Sequence, residues 1–454
     1  MNFDFSLPEG WHWTSLESIK ASGRSIVSGP FGSNIGKRFF VESGIPIIRG
    51  NNLSLGMGRF NDGGFVFLSE EKSLDFKNCE AIGDDLIFTA AGTIGQVGII
   101  PRNSLFPKYI ISNKQLRARL DLTKAIPLYV YYWLASPPMV SYIQSRNTGS
   151  TIPLINLSVL RSLPIPLPPL KEQEGIVDVL STLDDRITLL RETNTTLEAI
   201  AQALFKSWFV DFDPVRAKQQ GREPEGMDSA TAALFPDSFE ESELGLVPRG
   251  WQLGNIGQIA EIIDCLHSKK PELIGEGWPF LQLSNIRNDG LLDTSKVSFI
   301  TEADYIKWIS RIEVSKGDCV ITNVGRVGAV AQIPTGFKAA MGRNMTAIRP
   351  KSNWPYPTYL IELLQSSWMR TEINRRTDVG TILDALNVRN IPNLRCMLAP
   401  NEMMVSFEST CRPLRAAMEA NFERINSLVA VRDTLLPRLI SGQLHLPEAS
   451  PGLV

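Results

Sequence analysis

Two stretches of the chain place apolar residues at alternating steps of four and three, the spacing that keeps one stripe of an α-helix facing a partner. The first runs through Ile176, Leu180, Leu183, Ile187, Leu190, Asn194, Leu197, Ala201, Leu204 and Trp208. The second runs through Phe407, Cys411, Leu414, Met418, Asn421, Ile425, Leu428, Arg432, Leu435 and Leu439, displaced from the first by 231 residues. Two seams of equal length predict helices that pack on each other, with Leu183, Leu190, Leu197, Leu414, Leu428 and Leu435 as their shared core. Asn194 and Asn421 sit near the middle of the seams, where a buried asparagine fixes register at some cost in stability. The alternative is that both face solvent at a widened edge. Pro413 predicts a kink or a restart in the second helix.

A mixed block precedes each helical run. Segments 44–49 and 85–89 read as short strands bounded by turn residues, 127–135 as helix, and 157–163 as short strand. The blocks repeat as well. Pro8-Glu9-Gly10-Trp11 returns as Pro248-Arg249-Gly250-Trp251, and Gly83-Asp84-Asp85-Leu86-Ile87 as Gly317-Asp318-Cys319-Val320-Ile321. Gly92-x-x-Gly95 is matched by Gly325-x-x-Gly328, and Pro169 falls on Pro400 at the 231-residue offset. A shared frame with divergent contents predicts two related folds of different specificity. The expected fold class is α/β (α+β), two domains in tandem pseudo-repeat separated by two long antiparallel coiled-coil helices. The expected boundaries are 1–168 for the first domain, 169–209 for the first helix, 210–247 for an acidic linker, 248–399 for the second domain, 400–441 for the second helix and 442–454 for a tail. Residues 172–209 as one helix would reach about 57 Å. The linker, rich in Pro, Gly and Ser, is expected to be an extended strap with few contacts of its own.

The net charge of −2 hides a division along the chain. Residues 1–169 carry 16 Lys+Arg against 12 Asp+Glu, and residues 248–400 carry 18 against 14, so each block is +4. Residues 170–209, 210–247 and 401–454 are −3, −6 and −1. An excess of four is compatible with an ordinary mixed surface and does not by itself identify nucleic acid as a partner. No apolar stretch approaches the roughly 18 to 20 residues of a membrane span, and the N-terminal residues do not resemble a secretory signal, so a cytoplasmic protein is expected. Cys79, Cys265, Cys319, Cys396 and Cys411 are scattered singly and read as reduced packing residues, with no metal site expected. Neither His12, His267 nor His445 lies in a nucleophile pattern, and no catalytic residue is assigned. Asp84/Asp85 reads as a turn before a strand, and Asp184/Asp185 as a solvated helix face.

Longer motifs carry a resemblance. Pro166-Leu167-Pro168-Pro169-Leu170-Lys171-Glu172-Gln173-Glu174 enters the first helix, and Ser207-Trp208-Phe209-Val210-Asp211-Phe212-Asp213-Pro214-Val215 leaves it. Arg432-Asp433-Thr434-Leu435-Leu436-Pro437-Arg438-Leu439-Ile440-Ser441-Gly442 lies near the C-terminus. With Gly29-Pro30-Phe31-Gly32-Ser33-Asn34, Ile45-Pro46-Ile47-Ile48-Arg49-Gly50 and Leu234-Phe235-Pro236-Asp237-Ser238-Phe239, these resemble specificity subunits of type I restriction-modification systems over nearly the whole chain. The resemblance implies two target recognition domains, each reading one half of a bipartite double-stranded DNA site, and helices that act as a ruler for the unread spacer. It also implies a non-catalytic chain whose partners are two modification (methyltransferase) subunits and, through the complex, restriction/translocase subunits, with S-adenosylmethionine, ATP and Mg belonging to those partners and no cofactor here. The sequence has no N/D-P-P-Y/F tetrapeptide and no Walker A loop; Gly32-Ser33-Asn34-Ile35-Gly36-Lys37-Arg38 is one residue short of the latter.

Base readout needs Arg, Lys, Asn or Gln at groove edges, with phosphate contacts to position them. Asn34, Lys37, Arg38, Arg49, Asn51, Arg146, Asn147 and Ser150 are the candidates in the first block. In the second they are Lys269, Lys270, Asn285, Arg287, Arg326, Arg343 and Arg375, with Asn323 at the start of the 323–326 segment. Trp208 and Phe209 are candidate anchors for a modification subunit. The rival readings are a tandem-domain scaffold for proteins or glycans, and an enzyme built on the dispersed carboxylate pairs.

Overall fold

In the computed structural model, which describes residues 5–242, 245–378, 380 and 384–446, the chain divides into two units. One comprises the chain up to Ile187 and from Leu428 onward, the other Thr188–Ser427. Each therefore takes part of both long helices, Leu170–Phe209 and Asn401–Ile440, which are 40 residues apiece.

The first unit contains an antiparallel sheet in the order Ile26–Ser28, Gln115–Ala118, Leu86–Thr89, Val97–Ile99. Every residue of Leu86–Thr89 is buried, so this strand is covered on both faces. A second sheet, in the order Phe40–Val41, Val66–Leu68, Ile45–Ile48, Tyr109–Ile111, Glu80–Ala81, is mixed, because Ile45–Ile48 and Tyr109–Ile111 run parallel. The helix Pro127–Leu134 packs its aromatic residues into a core with Ile176, Leu180, Leu436 and Leu439.

The second unit has an antiparallel sheet in the order Ala260–Asp264, Met345–Pro350, Cys319–Thr322, Val330–Gln332. Its mixed sheet runs Ser298–Ile300, Trp278–Leu281, Ala339–Met341, Glu313–Val314, again with one parallel pair. Both orders match the first unit strand for strand, apart from the extra edge strand Phe40–Val41 there. Within this unit Asn194 pairs with Asn421, and Phe205 with Phe407, so the two helices are antiparallel.

Five expectations are corrected by packing. The long helix Asn401–Ile440 runs through Pro413 as a single element. The stretch 210–247 is no loose strap: it forms the helix Asp213–Gln219 and buries Phe212, Val215 and Phe235 in the core of the second unit. Trp208 and Phe209 lie in that same core, ringed by Phe235, Trp251, Tyr359 and Phe407, which leaves neither available as an anchor for another subunit. Leu183, Leu414, Leu428 and Leu435 are only half-buried, as is Leu197, while Leu190 is buried. The deeper seam positions beside them are taken by Asp184, Arg415, Arg432 and Leu436. Asp184 is thus buried and only Asp185 meets solvent, contrary to the reading of the pair as a solvated face.

Candidate nucleic-acid interface

In each unit the strand ends deliver loops to a common cluster through backbone bonds. In the first, Gly29 approaches Ser112 so closely that a Cβ would lie 1.8 Å from its carbonyl oxygen, which only glycine permits. The Ser112 amide bonds Ile48 O, next to Arg49, and the Ala90 amide bonds Lys114 O. Ile155 then bonds Ala90 O, and Gly92 bonds Pro153 O. These links gather the loop of Asn34, Lys37 and Arg38, the loop of Arg49 and Asn51, and the segment 146–154 around residues 112–115. Gly92 and Gly95 both adopt positive φ in the turn between the strands Leu86–Thr89 and Val97–Ile99.

The gathered side chains differ in freedom. Asn34, Lys37, Arg38, Asn51 and Ser150 are exposed. Arg38 lies over the Phe39 ring at 4.7 Å and donates to Ser33 O at 3.1 Å, and Arg146 lies over Tyr142 at 4.6 Å and donates to its hydroxyl at 2.6 Å. Asn147 serves the loop itself, accepting the amides of Gly149 and Leu154 at 2.9 Å. Arg49 is half-buried and reaches Gly64 O at 3.4 Å.

The second unit repeats the pattern: the Asn323 amide bonds Asn344 O, Leu386 bonds Asn323 O, and Gly342 bonds Leu281 O. Lys269, Lys270, Arg343 and Asn344 are exposed there, and Lys270, Ser284, Arg343 and Asn344 rim one cleft floored by Phe280 and Trp308. Arg326 is exposed and donates to Ile286 O at 2.9 Å and to Asn288. Arg375, also exposed, pairs with Glu372 at 3.2 Å.

Two candidates prove to be internal. Asn285 is 1% exposed and spends its amide on Gln282 N, Asp293 O and Lys296 O, so it braces the loop and cannot reach a base. Asn52 does the same work in the first unit, on Arg49 N, Asn61 O and Gly63 O. Asn323 is buried on Leu386 O and the Thr346 hydroxyl. Arg287 is half-buried, forked onto Asp289 and laid over Phe422 at 4.6 Å.

Sequence reasoning missed a pair of forks behind these loops, each a half-exposed arginine on a buried aspartate. Arg119 grips Asp85 at 2.8 and 2.7 Å in the first unit, and Arg349 grips Asp318 at 2.8 and 2.6 Å in the second. Bidentate pairs of this kind fix geometry as well as charge. The repeated Gly-Asp before a buried strand was the available signal. Asp264, Cys265 and His267 lie near enough to share a cation, although the sequence suggested no such set. Asp264 already accepts His267 at 2.8 Å and faces Arg311 at 3.7 Å, so a metal there would have to compete with a guanidinium.

A family model described as the type I restriction modification DNA specificity domain matches residues 40–199. The HindI specificity subunit of Haemophilus influenzae is 26% identical over 379 residues, 74% of this chain and 81% of that protein. The MjaIX specificity subunit of Methanocaldococcus jannaschii is 26% identical over 368 residues, 80% of this chain and 78% of its own. The type I restriction-modification S subunit from M. genitalium superposes with a TM-score of 0.57 at 17% identity, covering 97% of both chains, a likeness of fold. The matched domain and these relatives point alike to the type I restriction-modification DNA specificity subunits as what this chain resembles. No helix among the described residues is long and apolar enough to cross a membrane.

Proposed function

We propose that this chain chooses a bipartite DNA address, each unit's loop cluster reading one half of it, while the paired helices set the unread spacer. The observation that carries this reading is the doubled architecture: one pair of sheets is built twice, and each copy presents exposed Lys, Arg and Asn on loops braced from beneath. Phosphate contacts from Lys37, Lys269 and Lys270 would position each domain, and planar donors such as Arg38, Arg146 and Arg343 would read base edges. A 40-residue helix is about 60 Å long, enough for one to two turns of B-DNA between the readers. Methylation and cleavage belong to partner modification and restriction subunits, which would hold S-adenosylmethionine, ATP and Mg.

The test is to express the chain with the modification subunit of its own system and sequence the methylated DNA. Two short motifs at a fixed separation are expected. A contiguous motif, or methylation independent of sequence, would contradict the reading.

A further inference from the structure

Each unit fastens its mixed domain to the long helices with a polar cluster, and equivalent positions can be matched through the backbone. Arg59 O accepts the Ile99 amide at 3.0 Å, and Gly290 O accepts the Gln332 amide at 3.0 Å, each from the last strand of its antiparallel sheet. Tyr132 is the sixth residue of the helix Pro127–Leu134, and Glu362 the sixth of Pro357–Gln365. Asp184 and Arg415 stand at the same distance from the starts of the two long helices, Leu170 and Asn401.

The charges at these matched positions are opposite. In the first unit the domain supplies the cation and a long helix the anion: Arg59 donates to Asp185 at 2.7 Å and Tyr132 at 2.8 Å and lies 3.8 Å from Asp184. Asp184 also accepts Tyr132 at 2.9 Å and Arg432 at 2.8 Å. In the second unit the domain supplies the anion and a long helix the cation. Arg415 lies 3.8 Å from Glu362 and donates to Gly290 O at 2.9 Å, and Gln202 donates to Glu362 at 2.6 Å. Gly290 has no side chain, and a Cβ there would meet the Gln365 amide at 2.3 Å. The guanidinium that Arg59 brings from the domain in one unit is brought from the helix by Arg415 in the other.

We infer that these inverted clusters are charge keys that allow each recognition domain to dock on its own seat and not on the other's. A first-type domain on the second seat would set Arg59 against Arg415, two cations in a desolvated site. A second-type domain on the first seat would set Glu362 against Asp184. Burying like charges without a partner is the repulsive half of specificity. Domains exchanged among relatives should therefore be accepted at the first seat when they carry a cation at position 59, and at the second when they carry an anion at position 362. This concerns docking and holds whichever bases are read.

The test uses full-length chains and thermal unfolding. Replacing residues 251–399 with residues 11–168 of the same chain should lower the midpoint, and adding Arg415→Asp to that graft should recover at least half of the loss. A graft that unfolds at the same temperature with and without Arg415→Asp overturns the inference. If both grafts fail to fold, the native chain decides. Asp184→Arg alone should lower the midpoint, and combining it with Arg59→Gly and Tyr132→Glu, which writes the second key into the first seat, should recover at least half. A triple variant no better than Asp184→Arg overturns the inference as well.

Discussion

In the first unit the buried anion Asp184 shares its surroundings with wet groups: the side chains of Arg59 and Asp185 are 26% and 68% exposed. In the second unit Arg415 and Glu362 are 3% and 1% exposed, sealed from solvent. Asp184 has three donors in reach, whereas the Arg415 guanidinium has one carboxylate at 3.8 Å and two neutral oxygens, of Gln365 at 3.4 Å and of Gly290 at 2.9 Å. The same fold thus tolerates a redundant, solvated cluster at one place and a lean, dry one at the other. The difference predicts where a single change is most costly.

The largest effect is expected at the dry cluster. Arg415→Ala leaves Glu362 buried without its cation and should cost about 3–5 kcal/mol, a fall of roughly 10 °C in the unfolding midpoint. Arg432→Ala leaves Asp184 with Tyr132 and Arg59, so its fall should be less than half as large. Equal losses would remove the distinction between the two units.

A middle-sized effect is expected in the seam. Asn421 donates to Asn194 at 2.9 Å, and Asn194 donates to Met418 O at 3.0 Å, both buried. Asn421→Ala strands the Asn194 oxygen and should cost about 1–3 kcal/mol, whereas replacing both asparagines with leucine should be neutral or stabilising in denaturant titrations. Loss of stability in the double variant matching that of the single would show that the pair contributes more than register.

The smallest effect is on pH dependence. Burial pushes Glu408 above its ordinary value of 4.5, although it accepts the amides of Thr358 and Tyr359. The folded chain therefore holds that proton more readily than the unfolded chain does. Its contribution favours folding fully below pH 4.5 and is lost as pH rises through the raised value. Glu408→Gln carries no charge, so its midpoint relative to the parent should climb as pH rises from 4.5 through the raised value. A constant difference across that window would contradict the shift.

The long helices, the repeated sheet order and the asparagine pair were legible because apolar periodicity and glycine-bounded turns are local signals. The depth of Asp184 and Arg415 was not, since a charged residue beside a stripe reads as its solvated edge until partners from distant segments are known. Arg59 and Tyr132 lie far from Asp184 in sequence, and nothing local joins them. Among the candidate readers, residue type found the exposed Lys37, Arg38, Lys269, Lys270 and Arg343. It misjudged Asn285 because an asparagine that braces a loop and one that reads a base look alike in a string of letters. The strap 210–247 misled through composition, where Pro and Gly outweighed the apolar Phe212, Val215 and Phe235.

If the two domains read separately, the methylated motif after exchange of one domain will show it. Residues 1–168 should be replaced by the corresponding segment of a relative with a different target, keeping a cation at position 59, and the methylated DNA sequenced. One altered half-motif is expected, with the other half and the spacer unchanged. Alteration of both halves, or of neither, would contradict it.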